Sequence, residues 1–435
     1  MPYRIKPCLT IRGSISLPGD KSIAHRSIII SAIAQGTTVI KNFSFSQDCT
    51  ATIAAIRSLG VRITRSGPNA LRVCGAGLFG LKKPRHKIMA GESGTTMRIL
   101  AGLLCGQSFS SVLDGRAALR RRPMLRVVAP LRLMGARITG RKKGENILAP
   151  LHIAPASLRG ITWKMPIASA QVKSAILLAG LYGRSSTSVS EKTVSRDHTE
   201  RMLRYFDADI SVRSRSVRLR PSFLRSPGTI DIPGDISSAS FFIVLACLLK
   251  DSCLIIRRAS LNPSRCGLVH VLKKMGAQIT VIKQNIRYFE PFGDLKVRFS
   301  LLKGVTVQEG LIPQLIDEIP ILMVAAALAK GRTVLKGIGE LRVKETDRIH
   351  SMAENLKRMG VMIETKRSAN KEVIVIHGAQ ELKGAHLKSF GDHRTAMSMI
   401  VAGLCARSPS ELDNTSCIAK SFPDFLVLLK HLIVS

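Results

Sequence analysis

Aromatic residues are scarce in this 435-residue sequence: 4% overall, with one tryptophan and four tyrosines. Acidic residues are scarce as well, 29 against 66 Lys and Arg, for a formal net charge of +37. A nucleic-acid binder concentrates its basic residues on one face or tract, often with aromatics between them. Here Lys and Arg are spread along the chain, and the densest runs are only Arg120–Arg122 and Arg141–Lys143. A generally basic surface that helps capture small anions is therefore favoured over a basic scaffold for nucleic acid. Long apolar runs are absent: Phe241–Leu249 and Ile319–Ala329 fall short of the about 20 residues needed to cross a bilayer. The opening Met1–Pro7 has no apolar signal-like core, so a cytoplasmic location and no membrane partner are expected. The nine cysteines include no CxxC pair, and the ten histidines no HExxH. That pattern predicts free thiols in a reducing compartment, with no disulfide and no metal. With 45% hydrophobic residues a disordered polycation is excluded. The length predicts two or three domains, each with a real core.

An internal repeat is present. Ala-centred apolar runs recur around Ala32, Ala101, Ala179, Ala246, Ala326 and Ala402, spaced by 69, 78, 67, 80 and 76 residues. A polar stop and a β-prone segment follow several of them, as in Gly36–Ile40 and Gly331–Leu335. A second helix then ends in Leu59-Gly60-Val61, Met134-Gly135-Ala136, Met275-Gly276-Ala277 and Met359-Gly360-Val361, with a degenerate copy at Phe206-Asp207-Ala208. Each unit reads β-α-β-α-β-β, and six units fill the chain. Leu17-Pro18-Gly19-Asp20 is echoed by Ile232-Pro233-Gly234-Asp235. The expected architecture is α/β: two similar lobes of three units each around a cleft, with buried parallel helices, an inside-out α/β barrel. Residues 1–19 with 236–435 form one lobe and 20–235 the other, with hinge crossovers at 18–20 and 233–235.

Polar residues gather where the helices start. Ser22 stands ten residues before Ala32, Ser169 ten before Ala179 and Asp392 ten before Ala402. Arg122, Arg196, Lys344, Arg348 and Lys420 stand where the second helices begin. A cation at a helix N-terminus opposes the macrodipole unless an anion lies between them. Several such sites in register predict binding of phosphate or carboxylate by free N–H groups and cations together. Gly75–Gly80 spells GxGxxG, but Pro84 interrupts the helix a dinucleotide site needs.

Leu17–Arg26, Ser169–Ser174, Ser195–Glu200, Arg342–Arg348, Asp392–Arg394 and Lys420–Pro423 together resemble the 3-phosphoshikimate 1-carboxyvinyltransferases, the EPSP synthases, collinearly over essentially the whole chain. The resemblance implies a monomeric cytoplasmic enzyme of aromatic amino acid biosynthesis, needing no cofactor. It would transfer the enolpyruvyl group of phosphoenolpyruvate to the 5-hydroxyl of shikimate 3-phosphate, and glyphosate would occupy the phosphoenolpyruvate pocket. Carried over by position, Ser22, Arg26, Ser169 and Arg196 would hold shikimate 3-phosphate, with Ser195 and Ala170 lining its site. Gln171 would touch the ring and approach phosphoenolpyruvate, and Lys21 would reach both ligands. Gly94, Arg122, Arg348, Arg394 and Lys420 would bind phosphoenolpyruvate. Asp317 is the candidate base, with Lys344 positioning the substrate. Glu345 is the candidate acid, with Lys21 and Lys420 as further donors; base and acid can also be exchanged or shared.

The family's Gly-Asn-Ala-Gly-Thr-Ala-Met-Arg-Pro is here Gly91–Ile99, with Glu92 and Ile99 as departures. UDP-N-acetylglucosamine enolpyruvyltransferase shares the fold, but the cysteine of its mobile loop is missing from Asp114–Met124. The nucleic-acid scaffold remains the alternative of a different class. Eight of the 66 basic residues fall to the two anionic substrates: Lys21, Arg26, Arg122, Arg196, Lys344, Arg348, Arg394 and Lys420.

Overall fold

The six Ala-centred runs form helices Lys21–Ala32, Gly94–Cys105, Ala170–Gly180, Ile236–Leu248, Ile319–Ala327 and His393–Leu404. The computed structural model describes residues 2–287, 289–368, 371–379 and 381–433. These helices are buried nearly all round; in Ile236–Leu248 every residue from Ile236 to Cys247 is buried. A helix without a polar face has nothing to turn to water, so it must lie inside its layer. The second helices, such as Gln47–Ser58 and Arg348–Arg358, are amphipathic and carry basic residues in the last turn.

The glycine that ends the second helix adopts a left-handed backbone, as at Gly60 with φ 87°. In the degenerate copy Asp207 takes that position with φ 62°, a conformation Asp tolerates better than bulkier residues. The segment after Gly75–Gly80 forms no helix.

Among the described residues, five sheets have four strands, and their order repeats. Thr162–Met165 runs parallel to Thr187–Glu191, which pairs antiparallel with Ser216–Leu219, which pairs antiparallel with Ile210–Arg213. The sixth sheet has three strands: His386–Leu387 lies parallel to Ser410–Leu412, and Tyr3–Ile5 closes it antiparallel. Two first strands are exchanged in sequence. Arg12–Ser16 pairs parallel with Cys253–Ser260, whereas Thr229–Asp231 pairs parallel with Thr37–Lys41.

The chain divides into two units. Unit I comprises Met1–Pro18, Pro233–Arg287 and Pro291–Ser435; unit II comprises Gly19–Ile232 and Tyr288–Glu290. The divisions fall at Pro18/Gly19 and Ile232/Pro233, and the short 288–290 segment, which the repeat pattern gave no sign of, belongs with unit II. There Phe289 stacks on Tyr205 with ring centroids 5.4 Å apart, and His198 Nδ1 lies 2.7 Å from Glu290 Oε1. Each unit has its own hydrophobic core. In unit II the Gly94–Cys105 and Ala170–Gly180 helices approach so closely that a Cβ on Gly102 would lie 2.1 Å from the Ala175 carbonyl oxygen. Glycine is therefore required there by contact with backbone rather than by conformation.

Candidate functional site

In unit II the Lys21–Ala32 helix is capped by Asp20, whose Oδ1 accepts the Ile23 N–H at 3.0 Å. Lys21 Nζ reaches Asp48 Oδ2 at 3.1 Å. Arg26, 3% exposed, is held from several directions. Its Nε donates to Thr199 Oγ1 at 2.7 Å, one terminal nitrogen to the Ser22 carbonyl at 2.8 Å, and the other to Ser174 Oγ at 2.8 Å. That other nitrogen also reaches the Ala170 carbonyl at 3.4 Å. Arg196 donates to Ser22 Oγ at 3.3 Å. Five of the nominated residues, Ser22, Arg26, Ala170, Arg196 and Lys21, thus gather where three helices begin, Lys21–Ala32, Ala170–Gly180 and His198–Tyr205.

Ser169 caps the Ala170–Gly180 helix through its Oγ and the Val172 N–H. Gln171, in the first turn, accepts from an Arg98 terminal nitrogen at 2.8 Å and donates to Thr95 Oγ1 at 2.9 Å. Gly94 opens the Gly94–Cys105 helix. A Cβ there would meet terminal nitrogens of Arg98 at 2.8 Å and Arg122 at 3.2 Å, so two guanidinium groups converge on the glycine. Arg98, which the sequence alone does not single out, stands in the Gly91–Ile99 stretch. Ser195 is buried, and its Oγ has no hydrogen-bond partner among the described residues.

Unit I brings together the other nominated residues. Asp317 stands before the Ile319–Ala327 helix, ringed by cations: Arg348 at 3.4 Å, Arg394 at 3.9 Å and Lys344 at 4.0 Å. Arg394 also donates to the Asp317 carbonyl at 2.8 Å. Arg348, 2% exposed, gives Nε to Asp392 Oδ2 at 2.9 Å and a terminal nitrogen to Glu345 Oε2 at 2.5 Å. Lys420 Nζ reaches the Gly391 carbonyl at 3.4 Å.

The cations stand at helix starts as the sequence implied, but the anion opposing them is in part the protein's own. Asp347 caps the helix that Arg348 opens, and Asp392 caps the helix bearing Arg394. Asp20 does the same beside Lys21. Carboxylates at N-caps satisfy free N–H groups and favour the helix dipole while neutralising the adjacent cation. Glu318, also missed, is a buried carboxylate that accepts from Ser237 Oγ and lies 3.7 Å from Arg394 and 3.9 Å from Arg265. Its signal in the sequence, an acid next to Asp317 opening an apolar helix, was available but not distinctive.

Burial and the neighbouring Arg348 guanidinium push the Lys344 ammonium below its usual range, against the opposing pull of Asp317. Burial alone would raise the Asp392 carboxyl; Arg348 outweighs it and holds the group below its ordinary value. Arg348 itself is raised, its acidic neighbours outweighing burial. The unit I cluster is thus an array of cations around a carboxyl group, suited to holding a small polyanion beside a group that can exchange a proton.

A family model for EPSP synthase (3-phosphoshikimate 1-carboxyvinyltransferase) matches residues 5–429. A 3-phosphoshikimate 1-carboxyvinyltransferase from Geotalea uraniireducens is 48% identical over 433 residues, covering 99% of this chain and 99% of the relative. Another, from Desulforamulus reducens, is 43% identical over 434 residues and is covered, like this chain, to 100%. A solved EPSP synthase structure from Acinetobacter baumannii gives a TM-score of 0.88 at 41% identity, over 100% of this chain and 98% of that one.

Proposed function

This chain belongs to the EPSP synthase family and transfers the enolpyruvyl group of phosphoenolpyruvate to shikimate 3-phosphate in aromatic biosynthesis, and we propose that its two side-chain clusters divide the binding and the proton transfers of that reaction. In unit II, Ser22, Arg26, Ser169 and Arg196 hold shikimate 3-phosphate, with Ser195 and Ala170 lining its place. Gln171 packs on the ring and approaches phosphoenolpyruvate, and Lys21 serves both ligands. By the resemblance, Gly94, Arg122, Arg348, Arg394 and Lys420 are the residues for the carboxylate and phosphate of phosphoenolpyruvate. Arginine suits this task because its planar fork pairs bidentately with both groups.

The single observation that carries the proton-transfer assignment is the ring of Arg348, Arg394 and Lys344 around Asp317. Three cations favour the ionised carboxylate, the form that can accept a proton. Asp317 takes the proton of the 5-hydroxyl as its oxygen bonds to C2 of phosphoenolpyruvate, while an acid protonates the C3 methylene. The tetrahedral intermediate then returns a C3 proton to that deprotonated acid as phosphate leaves C2, restoring the double bond. Glu345 is the acid in this reading, and Lys344 positions the substrate. Glu345 contacts the Arg348 guanidinium, so an anion that draws the guanidinium away would free the carboxyl for the substrate. The chain works in the cytoplasm as a monomer.

The experiment is a split between binding and turnover. Glu345→Gln blocks phosphate release and leaves shikimate 3-phosphate binding near normal, whereas Arg196→Ala weakens that binding. Substantial turnover by Glu345→Gln removes Glu345 from proton transfer.

A further inference from the structure

Behind the Ser195-Arg196 turn lies a buried ionic cluster that the reaction as described does not use. Lys173, on the Ala170–Gly180 helix, is 2% exposed. Its Nζ is 2.8 Å from Glu191 Oε2 and 2.7 Å from Glu200 Oε1. Glu191 ends the strand Thr187–Glu191, and Glu200 lies in the first turn of the helix His198–Tyr205. One ammonium thus joins a helix, a strand end and a second helix start. Burying three charges is costly, and ion pairing offsets that cost only in part. A buried ionic cluster is therefore weak evidence of added stability.

What it fixes is the backbone of Ser195. The Ser195 N–H donates to Glu191 Oε2 at 3.1 Å, and the Ser195 carbonyl accepts from Lys173 Nζ at 3.4 Å. Both polar groups of that residue are therefore gripped from behind. The next residue is Arg196, whose guanidinium reaches Ser22 Oγ. On the same helices as Lys173 and Glu200, one residue away from each, Ser174 and Thr199 hold Arg26 at 2.8 and 2.7 Å. Ser174 Oγ and Thr199 Oγ1 are themselves 2.6 Å apart. The cluster thus underlies both arginines assigned to shikimate 3-phosphate.

We propose that Lys173, Glu191 and Glu200 are positioning residues for shikimate 3-phosphate, setting the Ser195-Arg196 turn and the Arg26 guanidinium at the spacing that phosphate requires. The inference rests on the placement of that substrate given above. Burial raises the Glu200 carboxyl against the pull of Lys173, while Lys173 is raised by its two acidic neighbours despite burial. The ammonium thus stays charged as the centre of the clamp. Its effect should be selective: misplacing a binding group by about 1 Å can cost up to about a hundredfold, and here only one of the two substrates depends on the misplaced groups.

The test is a KM split between the two substrates, on full-length folded variants. Glu191→Asp keeps the charge but withdraws the carboxylate from the Ser195 N–H by about one methylene, and Glu191→Ala removes the acceptor. Both raise KM for shikimate 3-phosphate about tenfold or more, with KM for phosphoenolpyruvate and kcat within about twofold. Glu191→Gln, whose amide oxygen still accepts the Ser195 N–H, stays within about threefold of the parent. The Asp and Gln variants carry the test should the Ala variant fail to fold. A parent-like KM in Glu191→Asp, or a rise shared equally by both substrates, overturns the inference. Arg196→Ala serves as the control. An unchanged KM there overturns the substrate placement and the inference with it. A raised KM there beside an unchanged one in Glu191→Asp overturns the inference alone.

Discussion

Arg348 and Asp392 meet where two helices begin: Arg348 Nε donates to Asp392 Oδ2 at 2.9 Å, with both side chains at most 2% exposed. Arg348 opens the helix Arg348–Arg358, and Asp392 caps the helix His393–Leu404 through the Arg394 and Thr395 N–H groups. One carboxylate therefore caps a helix through the Arg394 backbone and orients the side chain of Arg348.

Removing that carboxylate leaves a buried guanidinium without its most deeply buried anionic partner. Asp392→Ala should cost about 3–5 kcal/mol of unfolding free energy by denaturant titration. Asp392→Asn, which can still cap the helix, should cost less. Both should raise KM for phosphoenolpyruvate more than KM for shikimate 3-phosphate. Equal effects on the two substrates would separate Asp392 from phosphoenolpyruvate binding.

A methyl group on Gly94 would face the ends of two flexible arginine side chains rather than backbone. Gly94→Ala should therefore leave stability nearly unchanged while displacing Arg98 and Arg122. KM for phosphoenolpyruvate should rise about tenfold, equivalent to about 1.4 kcal/mol, with glyphosate inhibition weakened as well. Unchanged values for both ligands would move Gly94 out of the pocket.

His25 is buried, and its Nδ1 lies 2.7 Å from Thr52 Oγ1. Burial, with Lys21 and Arg26 nearby, pushes its imidazole well below the usual value of about 6.5. Below about pH 6.5 the unfolded chain binds a proton at this position that the folded chain does not. Stability should therefore fall as pH drops through that value towards the folded pKa, by up to about 1.4 kcal/mol per pH unit for one proton. His25→Gln should be less stable at pH 8 yet lose less between pH 7 and pH 5. Parallel curves for the two proteins would contradict the assignment.

The repeat was legible because its punctuation is backbone chemistry. A left-handed residue after the second helix leaves a glycine in the sequence, and the one degenerate copy, Asp207, keeps the conformation. The apolar helices were legible because burial on every side leaves no polar positions to interrupt the run. The exchange of Arg12–Ser16 and Thr229–Asp231 between sheets was not legible in these terms, because strand partners are chosen at sequence separations that local pattern does not record. At the candidate site the cations were visible as a recurring position. Their counter-charges were read past: Asp20, Asp347 and Asp392 look in sequence like ordinary helix caps. Glu318 and the Lys173 cluster act through contacts up to 81 residues away, Glu318 with Ser237 being the longest of these. Arg98 was passed over because nothing in the sequence ties it to Gln171, 73 residues on.

The most direct measurement of the central claim is phosphate release from phosphoenolpyruvate by the purified chain, with shikimate 3-phosphate or UDP-N-acetylglucosamine as the acceptor. The account predicts steady release with shikimate 3-phosphate, abolished by Glu345→Gln, and none with the nucleotide sugar. No release with shikimate 3-phosphate, or comparable release with UDP-N-acetylglucosamine, would contradict it.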